Sequence, residues 1–263
     1  LYSGIFKKRI IVVSKKTIII VLILFFAASY LFIAKWFIYH RIGSAALKAS
    51  DDRHMYVFND SLIPTPTTRL VYVALGDSLT SGVGVNAYEE SYPYLLAQKI
   101  AATSTKVTHL NFSYPGARTE DALRDLVPNA VNVRADVITI LLGTNDVMNG
   151  KVTDSQFRNN YEALIKAFVE GNKVKINLIS IPYIGSNSLF LPPFNYYYRE
   201  KINRFNLIIK ELAMQYNLNY IDLTTPTAQF SSQVSDYYAK DDFHLSRVGY
   251  VYWSNILYDN LNK

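Results

Sequence analysis

From residue 70 to residue 261 the chain alternates short, β-rich apolar runs with stretches whose apolar side chains recur at helical spacing. No other feature constrains the fold as much. Consecutive strands separated by helices pair in parallel through right-handed crossovers, and the helices then cover both faces of the sheet. Strands are expected at residues 70–75, 107–112, 137–142, 174–181 and 220–223. The run 137–142 (VITILL) is apolar apart from one threonine, as a strand buried on both faces requires. Helices are expected at 93–102, 120–126 and 248–261, and on the stripes Phe157, Tyr161, Leu164, Phe168 and Tyr198, Ile202, Phe205, Ile209, Leu212, Tyr216. Thr153 or Asp154 is the N-cap candidate of the first stripe, and Gly171 its stop. The fold implied is a three-layer α/β/α domain over residues 69–263 around a five-stranded parallel sheet.

Before this domain, residues 17–34 (TIIIVLILFFAASYLFIA) carry no charge. Their length is close to the ~20 residues that cross about 30 Å of hydrocarbon as a helix, the form that satisfies backbone groups in lipid. Lys7, Lys8, Arg9, Lys15 and Lys16 precede the run, and Lys35, Trp36, Tyr39 and Arg41 follow it. That order predicts an N-terminus inside the cell and an interfacial anchor outside. The chain then divides into a basic cytoplasmic segment (1–16), a transmembrane anchor (17–40), a polar stalk (41–68) and the exported domain. A cleaved signal peptide is the alternative, because residues 18–26 have the length of a signal core and Ala27, Ala28 and Ser29 are small. The first reading puts the domain at the cell membrane, the second releases it.

The net charge of +6 belongs to the N-terminal segment. Residues 1–50 hold eight of the 27 Lys and Arg and none of the 21 Asp and Glu, which leaves the remainder at −2. A nucleic-acid partner therefore loses its support. The absence of cysteine excludes thiolate metal centres, iron–sulfur clusters, disulfide scaffolds and a cysteine nucleophile. No metal or cofactor is expected.

Polar clusters stand where the expected strands end, which is where open α/β sheets bind ligands. Gly76-Asp77-Ser78-Leu79 follows the first strand, Pro115-Gly116 the second and Gly143-Thr144-Asn145-Asp146 the third, and Asp241-Asp242-Phe243-His244 precedes the last helix. Together they contain the parts of an acyl-transfer site. Ser78 is the candidate nucleophile, His244 the base that takes its proton, and Asp241 the acid that fixes the imidazole tautomer. The backbone N–H groups of Ser78 and Gly116 and the side-chain amide of Asn145 are the candidate oxyanion donors. Asp242 is the rival to Asp241, since the two are adjacent and only their spacing from His244 differs. Asp77 and Asp146 read as acids that brace turns. His40 and His54 lie in the juxtamembrane region and the stalk, and His109 falls within a strand. Gly82 and Gly84 brush against a dinucleotide fingerprint but lack its third glycine.

These blocks resemble the SGNH hydrolases, also called GDSL esterases and lipases. GDSL at 76–79, the glycine closing NFSYPG at 111–116, GTND at 143–146 and DDFH at 241–244 occur in family order, and the resemblance covers about residues 70–257. It implies a flavodoxin-like sheet and a metal-independent ester or thioester hydrolase, with lysophospholipids or other small acyl or lipid esters as favoured substrates. A cell-envelope polysaccharide O-acetyl esterase or O-acetyltransferase is the alternative, and an inactive anchored binding module the remote one. The aromatic segment 182–198 (PYIGSNSLFLPPFNYYY) receives no assigned role, and oligomeric state is left open.

Overall fold

The computed structural model describes residues 14–44, 55–59, 68–102, 105–170, 174–230 and 236–261. Most of the expected basic segment and stalk, with His54 and Gly171, lies outside these residues. The chain divides into two compact units, residues 1–40 and 41–263.

The first unit is dominated by helix α1 (Lys15–Ser44). Ser14 caps it: its Oγ accepts from the Thr17 backbone N–H at 3.1 Å, while its carbonyl accepts from Ile18 N–H. Thirty residues at 1.5 Å rise extend about 45 Å, longer than a bilayer's hydrocarbon core. Residues Lys15–Gly43 satisfy the length and composition of a membrane span.

In the second unit the strands are β1 (Met55–Phe58), β2 (Thr68–Gly76), β3 (Thr105–Ser113), β4 (Val137–Leu141), β5 (Lys175–Ile179) and β6 (Asn219–Ile221). The sheet order is β1-β3-β2-β4-β5-β6, and all pairs are parallel except β1 with β3. The sequence reading of five parallel strands is thus corrected to six. The extra strand lies within the segment read as stalk and pairs antiparallel on the sheet edge, Met55 opposite Leu110 and Phe58 opposite Val107. The five parallel strands keep the doubly wound order whose direction reverses between β2 and β4, and ligands bind at such a switch point.

Helices α2 (Tyr92–Ala101) and α9 (Arg247–Leu261) close one face. Tyr92, Leu96, Tyr250, Trp253 and Leu257 there share a buried cluster with Tyr72 and Ala74 of β2. Helices α6 (Asp154–Val169) and α7 (Phe194–Gln215) pack together through the stacked rings of Phe157 and Phe205, whose centroids lie 4.0 Å apart. Deleting either ring costs about 3–5 kcal/mol, from lost burial and the cavity left behind. Thr153 caps α6 as expected, in a reciprocal bond pair with Gln156. Among the described residues the shorter α-helices are α3 (Thr119–Asp125), α4 (Val127–Ala130), α5 (Thr144–Met148) and α8 (Thr224–Ala228).

Register decides where the polar clusters meet. Gly76 at the end of β2 pairs with Ser113 of β3 and with Leu141 of β4, so the three strands finish level and their following turns share one edge.

Candidate active site

The turn after β2 is folded tightly around Asp77. Its Oδ1 accepts from Leu79 N–H at 3.0 Å, and its carbonyl accepts from the N–H groups of Thr80 and Ser81. Gly76 makes this possible, because a Cβ there would stand 1.9 Å from Thr80 Oγ1 and 2.8 Å from the Leu141 carbonyl. The turn ends with Ser78 at the top of the sheet, nearly buried. The last helix is tied to the same loop, since Tyr250 Oη donates to the Val83 carbonyl at 2.7 Å.

Residues 238–245 form the facing turn, closed by a bridge between Tyr238 and Leu245 and by Ala239 N–H on the His244 carbonyl. Asp241 Oδ1 accepts from the backbone N–H groups of Phe243 and His244, which fixes the carboxylate. Its Oδ2 then lies 2.5 Å from His244 Nδ1, and His244 Nε2 lies 3.0 Å from Ser78 Oγ. Burial pushes the Asp241 carboxyl up, but the bonds from the His244 ring and from the two N–H groups outweigh it and hold the group below its usual range. It is Asp241, not Asp242, that meets the ring. Asp242 takes a left-handed φ of 61°, and its carbonyl accepts from Ser186 N–H at 2.8 Å.

The oxyanion candidates occupy the same edge. Gly116 has φ 85° in the turn after β3, a conformation that L side chains avoid, and no atom lies within 4 Å of where its Cβ would be. Asn145 stands in the first turn of α5, just beyond β4. Its Nδ2 donates to the Ala117 carbonyl at 3.0 Å and to Asp77 Oδ2 at 3.3 Å. The two protons of this amide therefore both have protein acceptors, and the longer bond is the one to Asp77.

The family model for GDSL-like lipases and acylhydrolases matches residues 74–252, a span that contains the Ser78, Gly116, Asn145 and Asp241–His244 turns. The chain belongs to this family. It is a serine hydrolase acting on ester bonds. A lipase from Streptomyces rimosus is 40% identical over 86 residues, a stretch spanning 28% of this chain and 30% of that lipase. Among solved structures, a lipase/acylhydrolase from Enterococcus faecalis is 27% identical, with a TM-score of 0.61 over 72% of this chain and 94% of that one. An acetyl xylan esterase from Geobacillus stearothermophilus shares the fold at 17% identity, with a TM-score of 0.59 over 73% of this chain and 94% of its own.

Two acids of this GDSL hydrolase that the sequence marks as braces do brace turns. Asp146 accepts from Thr119 N–H at 3.0 Å and Thr119 Oγ1 at 2.7 Å, so it holds the start of α3 beside the Gly116 turn. Asp77 does more than the sequence suggests, because it also holds the Asn145 amide. Burial pushes its carboxyl up to about 7; the Leu79 N–H bond opposes this, and the Asp146 charge adds to it. The only sequence signal for this second role is its position next to the serine. Among the described residues no group of three or more His, Cys, Asp or Glu is arranged to hold a metal.

Proposed function

We propose that the protein is a membrane-anchored, extracytoplasmic esterase that hydrolyses lipid acyl esters, lysophospholipids above all, through an acyl-Ser78 intermediate. The observation that carries the mechanism is the unbroken relay from Asp241 Oδ2 to His244 Nδ1 at 2.5 Å and from His244 Nε2 to Ser78 Oγ at 3.0 Å.

With its Nδ1 proton held by Asp241, His244 presents an unprotonated Nε2 to the serine. Ser78 Oγ attacks the ester carbonyl as its proton passes to Nε2. The carbonyl oxygen becomes an oxyanion that takes hydrogen bonds from the Ser78 and Gly116 N–H groups and from Asn145 Nδ2, whose longer bond to Asp77 is the one exchanged. Collapse breaks the ester C–O bond, and the imidazolium returns its proton to the departing alcohol. Water then repeats the sequence on the acyl-serine, which frees the acid and restores Ser78. No cofactor enters these steps.

The lipid reading is supported by the family, by the Enterococcus faecalis lipase/acylhydrolase relative and by the candidate span Lys15–Gly43. The outward topology rests on the five cations before that span. The test is hydrolysis of p-nitrophenyl esters from acetyl to dodecanoyl by the full-length protein in detergent, beside Ser78→Ala. Turnover of the longer chains, with a fall of about 10⁴-fold or more in the variant, is expected. Activity confined to acetyl esters would replace the lipid reading with the envelope-polysaccharide acetyl one. A variant matching wild type would end the Ser78 mechanism.

A further inference from the structure

Residues 191–197 (LPPFNYY) connect the loop after β5 to the first turn of α7. Leu191 is 40% exposed, Tyr196 63% and Tyr197 46%, and Pro192 and Pro193 between them are exposed too. Elsewhere among the described residues of the domain, exposed large apolar side chains occur singly or in pairs, as at Met55 and Val57 or Val248 and Val251. Only this span gathers three within seven residues. It also lacks the charge that keeps most surfaces in water: there is no acid from Pro182 to Arg199. The one cation, Arg199, is stacked over the Tyr183 ring at 5.4 Å and donates to Tyr183 Oη at 2.7 Å.

The crest is fixed to the catalytic edge. Beneath it Phe190 and Tyr198 are buried and meet edge to face at 5.1 Å. Phe190 continues to Phe243 at 6.4 Å, and Phe243 to the His244 ring at 5.1 Å. Ser186 N–H on the Asp242 carbonyl locks the start of the segment to the same turn. Whatever the crest rests on therefore fixes the position of His244 relative to it.

We propose that residues 191–197 dock on the lipid bilayer and seat the active-site mouth at the membrane surface, so that a lipid ester reaches Ser78 without crossing bulk water. This rests on the anchored lipid-esterase reading above. A bilayer is the occupant favoured because tyrosine and leucine beside an arginine settle at headgroup depth, and the first acid, Glu200, comes only after that arginine. The same chain carries a candidate membrane span that keeps such a surface at hand.

The test uses full-length protein reconstituted in phosphatidylcholine and phosphatidylglycerol vesicles. The triple variant Leu191→Ser, Tyr196→Ser, Tyr197→Ser is assayed on vesicle-resident palmitoyl lysophosphatidylcholine and on water-soluble p-nitrophenyl butyrate. The lipid ester should lose about tenfold or more in kcat/KM and the soluble ester less than twofold. Equal losses on both, or none on either, would overturn docking. Tyr196→Trp supplies a readout independent of substrate: its emission, after subtraction of the Trp36 and Trp253 background, should be quenched by lipids brominated near the glycerol. Emission insensitive to those lipids overturns the proposal. If wild type cleaves no lysolipid, the substrate reading falls while bromolipid quenching alone decides docking. If the full-length protein does not float with the vesicles, the anchor and the docking fall together.

Discussion

Among the described residues two histidines are buried, and each has both ring nitrogens in hydrogen bonds, yet only one has the surroundings of a base. His109, on β3, accepts or donates to Tyr88 Oη at 2.7 Å through Nε2 and contacts the Tyr72 carbonyl at 3.3 Å through Nδ1. Its ring stacks with those of Tyr72 and Tyr88. His244 makes the same two kinds of contact, but its Nδ1 partner is the Asp241 carboxylate and its Nε2 partner is Ser78. Burial drives the His109 value down to about 3, and the Tyr72 carbonyl bond only partly opposes it. A carbonyl dipole cannot stabilise an imidazolium as a carboxylate does. Position completes the difference, since His109 lies inside a strand while His244 stands in a turn at the ligand-binding edge. Burial and two hydrogen bonds make a structural histidine; a carboxylate at Nδ1 and a hydroxyl at the mouth of the sheet make a candidate base.

Substitutions that break this contrast should have effects on turnover that fall in order. His244→Ala is expected to lower kcat by about 10⁴-fold or more, because the serine loses the acceptor for its proton. Asp241→Asn should follow closely, about 10³- to 10⁴-fold, through loss of the tautomer that presents Nε2. Both should leave the thermal midpoint within a few degrees of wild type. Nitrophenyl ester kinetics measured beside thermal melts check the pair, and a variant that melts early without losing turnover would contradict the assignment.

Asn145→Ala comes next. Loss of one oxyanion donor costs about 10²- to 10³-fold in kcat, with little change in KM. A loss under threefold would remove Asn145 from the oxyanion hole. Asp77→Asn is the milder probe of the same element. The new Oδ1 still accepts from Leu79 N–H, but an N–H₂ now faces the Asn145 amide where an acceptor stood. About a tenfold fall in kcat at unchanged KM is expected, from an amide turned away from the developing charge. An equal loss in stability and in activity would instead mark Asp77 as a turn brace alone.

Much of this site is legible in the sequence because each cluster directly follows an apolar strand, and level strand ends bring such turns together. What escaped depends on contacts that no local pattern encodes. Met55–Phe58 is only four residues long, half exposed, and becomes a strand because β3 offers it an open edge. Spacing from His244 already favours Asp241 over its neighbour Asp242, but it does not show that Asp242 takes a left-handed backbone. The bond from Asn145 to Asp77 joins residues 68 apart. In residues 191–197, composition shows apolar side chains but not whether they face core or solvent, and the structure turns Leu191, Tyr196 and Tyr197 outward.

His109 should have the smallest effect on turnover, and its signature belongs to acid stability instead. In the unfolded chain a histidine takes up its proton below about pH 6.5, whereas the folded protein withholds it from His109 until about pH 3. Between those values the unfolded state binds more protons, so stability must fall as pH falls. The contribution of the neutral ring is complete above pH 6.5 and is lost progressively toward pH 3. His109→Gln has no proton to gain. At pH 7 the variant should be less stable by about 1–3 kcal/mol, because glutamine cannot restore the stacking with Tyr72 and Tyr88. As pH is lowered from 7 to 4 the gap should narrow and then reverse, while kcat of the variant stays within about twofold of wild type at each pH. Urea midpoints for both proteins at several pH values provide the measurement. Parallel pH slopes would mean that His109 does not resist protonation, and the contrast with His244 would then rest on position alone.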